Sequence, residues 1–122
     1  MNNLNANLIA RNNLDDIAIY YHGSSNAVVN QLVDGDMDVN QVFHVTDDPI
    51  VAARYAGNSG SVMAIATRNV AGVRSQITMC RDASVNGANQ WVMNADDAND
   101  MIDDADLVVA VPVWAVYQVM AA

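Results

Sequence analysis

Glutamate and lysine are both absent from this chain of 122 residues: all fourteen acids are aspartate and all five bases are arginine. Ordinary usage would supply roughly a dozen or more of the two missing types together. Bases of any kind are scarce, so the formal net charge is −9 and the pI is near 4.1. Duplex nucleic acid is held mainly by basic patches that neutralise phosphates, which argues against a general nucleic-acid binder and against attachment to an anionic membrane. Cysteine occurs once, at Cys80, which excludes an internal disulfide and a thiolate metal site. No apolar run approaches the roughly 18 residues that span a bilayer, and the longest, Leu107–Tyr117, is interrupted by Pro112. The N-terminal stretch MNNLNANLIARNN lacks a basic region followed by an apolar one and does not read as a secretory signal. Together these absences lead to the expectation of a soluble, cytoplasmic domain, acting in the producing cell or in a host.

Common catalytic signatures are missing too. His22, His44 and Cys80 offer no spacing that gathers three metal ligands. Asp34-x-Asp36-x-Asp38 begins like a calcium loop, but Val39 stands at the sixth position, where glycine is needed, and Val45 at the twelfth, where an acid is needed. No dinucleotide-binding glycine fingerprint, Walker loop or serine nucleophile elbow is present.

What the chain does contain is a core: 52% of its residues are hydrophobic, enough for a single domain spanning residues 1–122. Residues 1–16 read as an N-terminal arm or short helix, with Leu4, Leu8 and Ile9 at loosely helical spacing. Ile17–Tyr21 is β-branched and aromatic and predicts a strand ending at His22-Gly23-Ser24-Ser25. Ser24 or Ser25 can cap a helix whose Val28, Val29, Leu32 and Val33 share a face, with Gly35 as its stop. A second strand is expected at Val42–Val45, where Phe43 and His44 alternate between core and solvent or cleft. Asp48-Pro49 then starts a helix that stops at Gly57. Strands follow at Ser61–Thr67, within Val73–Cys80 and at Gln90–Met93, with a turn at Asn86-Gly87. Ala95–Asp104 reads as a short acidic helix or turn, and Leu107–Met120 as one long strand or a pair. Met63, Met79, Met93, Met101 and Met120 read as core filler. Strands outnumber helices, which cluster in the first half, so the expected class is α+β.

Taken singly, the polar residues have ordinary explanations. His22 reads as a surface or capped histidine, Tyr55 as core packing, Gln90 as an exposed strand residue, and Thr46 and Asp47 as helix-capping groups. Taken in order, YHGSS (residues 21–25), FHVTDDPIVAARYA (residues 43–56) and NQWV (residues 89–92) form a constellation. It resembles the ADP-ribosyltransferase family, in the His–Tyr–Glu branch shared by diphtheria-type toxins and poly(ADP-ribose) polymerases, over about Ile17 to Asn94. The resemblance implies two small β-sheets packed face to face, one or two helices, and a cleft that takes NAD as co-substrate. It implies that His22, Gly23, Ser24, Thr46, Tyr55 and Gln90 surround NAD. In this picture His22 and Ser24 contact ribose hydroxyls, the Gly23 backbone bonds the nicotinamide amide, and Tyr55 stacks on the nicotinamide ring.

Gln90 stands where the family has its catalytic glutamate. Glutamine can still orient a sugar hydroxyl, but it supplies no negative charge and accepts no proton. A unit charge at about 4 Å and an effective dielectric of about 20 is worth up to about 4 kcal/mol, which approaches a thousandfold in rate. Asp96 or Asp97 could place a carboxylate in the cleft instead, and Arg54, Arg74, Arg81 or the N-terminus of the helix after Ser24 could meet the pyrophosphate. The implied activity is mono-ADP-ribosylation of a macromolecular target, a protein foremost, by a small toxin or phage-type effector. The alternatives are an NAD glycohydrolase and a catalytically weak relative that binds NAD, ADP-ribose or a partner. The missing Glu and Lys fit avoidance of self-modification, since both can accept ADP-ribose.

Overall fold

The computed structural model describes residues 2–13, 16–68, 72–73, 78–79 and 89–121. The sequence expectations for Asn86-Gly87, Arg74, Cys80 and Arg81 lie outside these residues. Within them run α1 (Asn3–Asn12), β1 (Ala18–Ser24), α2 (Asn26–Asp34), β2 (Phe43–Thr46), α3 (Pro49–Ala56), β3 (Ser61–Thr67), β4 (Thr78–Met79), β5 (Gln90–Met93), α4 (Ala95–Asp104), β6 (Leu107–Pro112) and α5 (Val113–Ala121). The class is α+β.

Local chemistry sets most of the boundaries. Asn2 caps α1 by accepting from the Asn5 amide at 2.8 Å, and Asn13 closes it in the left-handed region. Ser25, not Ser24, caps α2, and Gly35 ends it at φ +77°, where a side chain would be strained. Asp48 accepts from the Ile50 amide at 2.8 Å with Pro49 as the first helical residue. Asn94 caps α4, whose first turn carries Asp96 and Asp97 beside the positive end of the helix dipole.

The strands form one antiparallel sheet in the order β4-β5-β2-β1-β3-β6. This corrects the expectation of two sheets packed face to face. The nearest thing to a division is the β1–β2 junction, registered through the single pair Tyr21–Thr46. Both faces of the sheet are apolar and both are covered by helices. Ile19, Tyr21, Val62, Ala64 and Ala66 pack with Leu4 and Leu8 of α1, Ala52 and Ala53 of α3, and Val113 and Val116 of α5. Tyr20, Phe43, Val45, Met63, Ile65 and Met93 pack with Val29 and Leu32 of α2 and Ala98 and Met101 of α4. Every residue of β3 is buried, and each large apolar side chain in such a strand contributes about 1.5–3 kcal/mol. A second sheet is unnecessary because amphipathic helices already supply the second apolar layer on each side.

Helices are also more numerous and more widely spread than expected, five among the described residues. The main reversal is at the C-terminus, where the strand ends at Pro112 and the rest is helix. Val113 and Val116, three apart, bury against α1 and α3, and that packing overrides the β-propensity of the Val-Trp-Ala-Val-Tyr segment. Trp114 remains exposed on the outer face of α5. In the other direction, β1 runs beyond Tyr21 through His22 and Gly23 to Ser24, each paired with β3.

Candidate functional site

A cleft of about 340 Å³ lies where β1, β2, α3 and β5 meet, within the size range of small-molecule sites. It is lined by Tyr21, His22, Gly23, His44, Val45, Thr46, Ala52, Tyr55 and Gln90. Of the residues expected around NAD, His22, Gly23, Thr46, Tyr55 and Gln90 therefore meet in one place. Ser24 does not line it; it ends β1, opposite Ser61.

His22 sits on the Phe43 ring, stacked at 4.0 Å. Its Nδ1 lies 2.6 Å from the His44 carbonyl oxygen. A carbonyl only accepts, so Nδ1 carries the proton. Burial pushes the imidazole below its ordinary range, against the carbonyl bond, which favours the charged form. The neutral ring then presents Nε2 as an acceptor.

Tyr55 is 68% exposed, so it is not core packing. Its hydroxyl donates to Gln90 Oε1 at 3.0 Å, carrying the phenol from α3 across to β5. Gln90 is only 7% exposed, so it is not a surface strand residue either. With Oε1 engaged by the phenol, its amide nitrogen is left to donate. Tyr21 closes the inner wall; its hydroxyl donates to Asn5 Oδ1, and burial, reinforced by the charge of Asp48, pushes its ionisation far up.

Asp48, not Thr46 or Asp47, is the N-cap of α3, though Thr46 Oγ1 accepts from the Asp48 amide at 3.2 Å and so supports the helix start. Thr46 and Asp47 also clamp β2 to the start of β5. Thr46 Oγ1 donates to the Asn89 carbonyl at 2.8 Å, and Asp47 accepts from the Asn89 backbone amide at 3.0 Å and from its side-chain amide at 3.1 Å. This fixes the residue before Gln90. Sequence reasoning missed the clamp, because no spacing rule connects positions 47 and 89.

Gly23 has a structural reason to be glycine. A Cβ there would lie 1.8 Å from the Ala52 carbonyl oxygen, so its missing side chain makes room for α3, the helix that carries Tyr55, rather than for a ligand. His44, given no role from sequence, is exposed and lines the cleft, while Phe43 beside it is buried. The signal was the strand alternation itself.

Asp96 and Asp97 lie in the first turn of α4 and do not line the cleft; among the described residues no carboxylate and no arginine does. Arg54 is exposed on α3, and no residue of α2 reaches the lining. Among the described residues, no group of three His, Cys, Asp or Glu side chains could hold a metal ion, and no helix is long and apolar enough to cross a membrane. No protein-family model, curated protein or solved structure matches the chain.

Proposed function

We propose that this protein transfers the ADP-ribosyl group of NAD to a protein target and releases nicotinamide. One observation carries the reading: His22, Gly23, Thr46, Tyr55 and Gln90, drawn from four elements, line a single cleft. The chemistry of that cleft suits the neutral part of a nucleotide. The exposed face of Tyr55 offers a stacking surface for nicotinamide. The His22 Nε2 lone pair and the Gln90 amide nitrogen form an acceptor and a donor suited to sugar hydroxyls. In the reaction the bond from the anomeric carbon to nicotinamide breaks, and its electron pair leaves on the ring nitrogen. A lone pair of the target forms the new bond to that carbon, and the target's proton passes to solvent. Among the described residues no carboxylate lines the cleft, so the developing positive charge meets the dipoles of the lining, and the reading calls for a target that supplies a strong nucleophile.

The test uses purified protein, labelled NAD and a cell lysate, following free nicotinamide and label in macromolecules. Label on a discrete band, lost with Tyr55→Ala, is the expected result. Nicotinamide without label would mark a glycohydrolase. A lack of both, with no NAD protection against heat, would overturn the reading.

A second reading, a cleft that binds NAD or ADP-ribose without turnover, is favoured by the uncharged Gln90. Gln90→Glu separates the two, since a glutamate there can keep the Tyr55 hydrogen bond. A rise in turnover of up to about a thousandfold would identify a binding scaffold lacking only its charge. A fall would identify Gln90 as the working residue.

A further inference from the structure

NAD carries two phosphate charges, and the cleft as described answers them poorly. Arg11, Arg54 and Arg68 all lie outside its lining. Among the described residues the lining contains no carboxylate to repel an anion, and it contains a second histidine.

His44 lies on β2 two residues before Thr46 and is registered opposite Val92, two residues after Gln90. Alternation puts His44 on the same sheet face as the Thr46–Gln90 pair, about 7 Å further along the strands. That is comparable with the span of a pentose from its ring hydroxyls to a 5′-phosphate. His44 is exposed at the cleft, and its imidazole makes no hydrogen bond among the described residues; only its carbonyl is engaged, by His22.

The other groups around His44 are uncharged or already bound. On β1, His22 is held neutral by burial, with the nearby His44 further disfavouring charge on it, and the Tyr21 phenol stays protonated. On β5 the neighbours are Gln90 and Val92, which are uncharged. From α3 the cleft receives Tyr55. Asp47 is bound to Asn89 and Asp48 to the Ile50 amide.

We propose that His44 is the phosphate-recognising residue of this cleft, so that the protein prefers a phosphorylated nucleoside over the free nucleoside. The proposal rests on the NAD reading and adds to it the residue that meets the anionic part of the ligand. An imidazole N–H donates a hydrogen bond to a phosphate oxygen, and hydrogen bonds to an ionised acceptor are the stronger kind.

The experiment measures binding of carba-NAD, whose glycosidic bond resists cleavage, and of nicotinamide riboside, by calorimetry. Wild-type protein is expected to bind carba-NAD on the order of tenfold more tightly than His44→Gln does, with the riboside bound equally by both. His44→Arg is expected to bind carba-NAD at least as tightly as wild type. Equal affinity of wild type and His44→Gln for carba-NAD, or an equal loss for both ligands, would overturn the role of His44 while leaving the NAD site standing. If wild-type protein binds neither ligand, the NAD reading fails, and the role of His44 fails with it.

Discussion

His22 is exposed enough to meet a ligand and buried enough to lose its charge, and both follow from where β1 ends. Its ring rests on Phe43 and its Nδ1 proton is committed to the His44 carbonyl. Burial lowers its folded-state value below the ordinary 6.5. Between those two values the unfolded chain binds more protons than the folded one, so stability rises with pH through that window. The contribution is complete above 6.5 and is lost as the pH falls toward the lowered value. Thermal melts at pH 7.5 and pH 5.0 should therefore show a smaller acid loss for His22→Gln than for wild type, because a glutamine has no proton to take up. Equal losses would mean that carboxylates alone set the acid limb. With Nδ1 committed, the neutral His22 ring keeps Nε2 as its acceptor.

At the scale of elements, the contact that builds the cleft is α3 pressed onto the end of β1. It is made by residues too small to hold the backbones apart: Gly23, Gly60, Ala52 and Ala56. A Cβ on Gly60 would lie 2.3 Å from the Ala56 carbonyl oxygen and 2.7 Å from that of Ser24. Gly23→Ala must push α3 away by more than an ångström, since the new carbon would sit 1.8 Å from the Ala52 oxygen. The expected cost is about 1–3 kcal/mol or more, read as a lower denaturation midpoint, and the shift of α3 should also weaken ligand binding by moving Tyr55. Unchanged stability would show that the β1–α3 junction can relax. Much of this element was legible in sequence: the Asp-Pro start and Gly57 stop of α3 are local chemistry, as are the Ser25 and Gly35 ends of α2. The residues that line the cleft were legible because two short motifs flank those same boundaries. What was not legible depended on distant packing. The Val113–Met120 stretch has strand-forming residues and becomes helix because α1 and α3 offer its valines an apolar seat. The Asp47–Asn89 clamp joins residues whose proximity only the β2–β5 pairing creates. The single sheet followed from how many amphipathic helices the chain makes, and the expected strand at the C-terminus concealed one of them.

For the molecule as a whole, much of the acid is placed away from the cleft. Much of the acid lies on α4 and on the loop after α2, which are tied together by Asn99: its Oδ1 accepts from the Val39 amide at 2.8 Å and its Nδ2 donates to the Val39 carbonyl at 2.9 Å. Those elements cover the face of the sheet opposite α3, so an anionic ligand approaching the cleft meets histidine, tyrosine and glutamine at its wall. The absence of Glu and Lys across all 122 residues has no structural cause in this fold, because exposed positions such as Asn58 and Gln118 would accept either side chain. The proposed activity offers a chemical cause for the missing lysine: a transferase that lacks strong electrostatic catalysis reacts with nucleophiles that are already good, and a surface amine of its own would always be at hand. Asn58 lies just past the end of α3, three residues after Tyr55, and Gln118 lies on α5. Incubated with NAD, Asn58→Lys and Gln118→Lys should acquire ADP-ribose by intact mass, and peptide mapping should locate it on the introduced lysine, whereas wild-type protein stays unmodified. The lysate target, labelled in parallel, shows that each variant is active. Active variants that remain unlabelled would remove self-modification as the reason for the missing lysine.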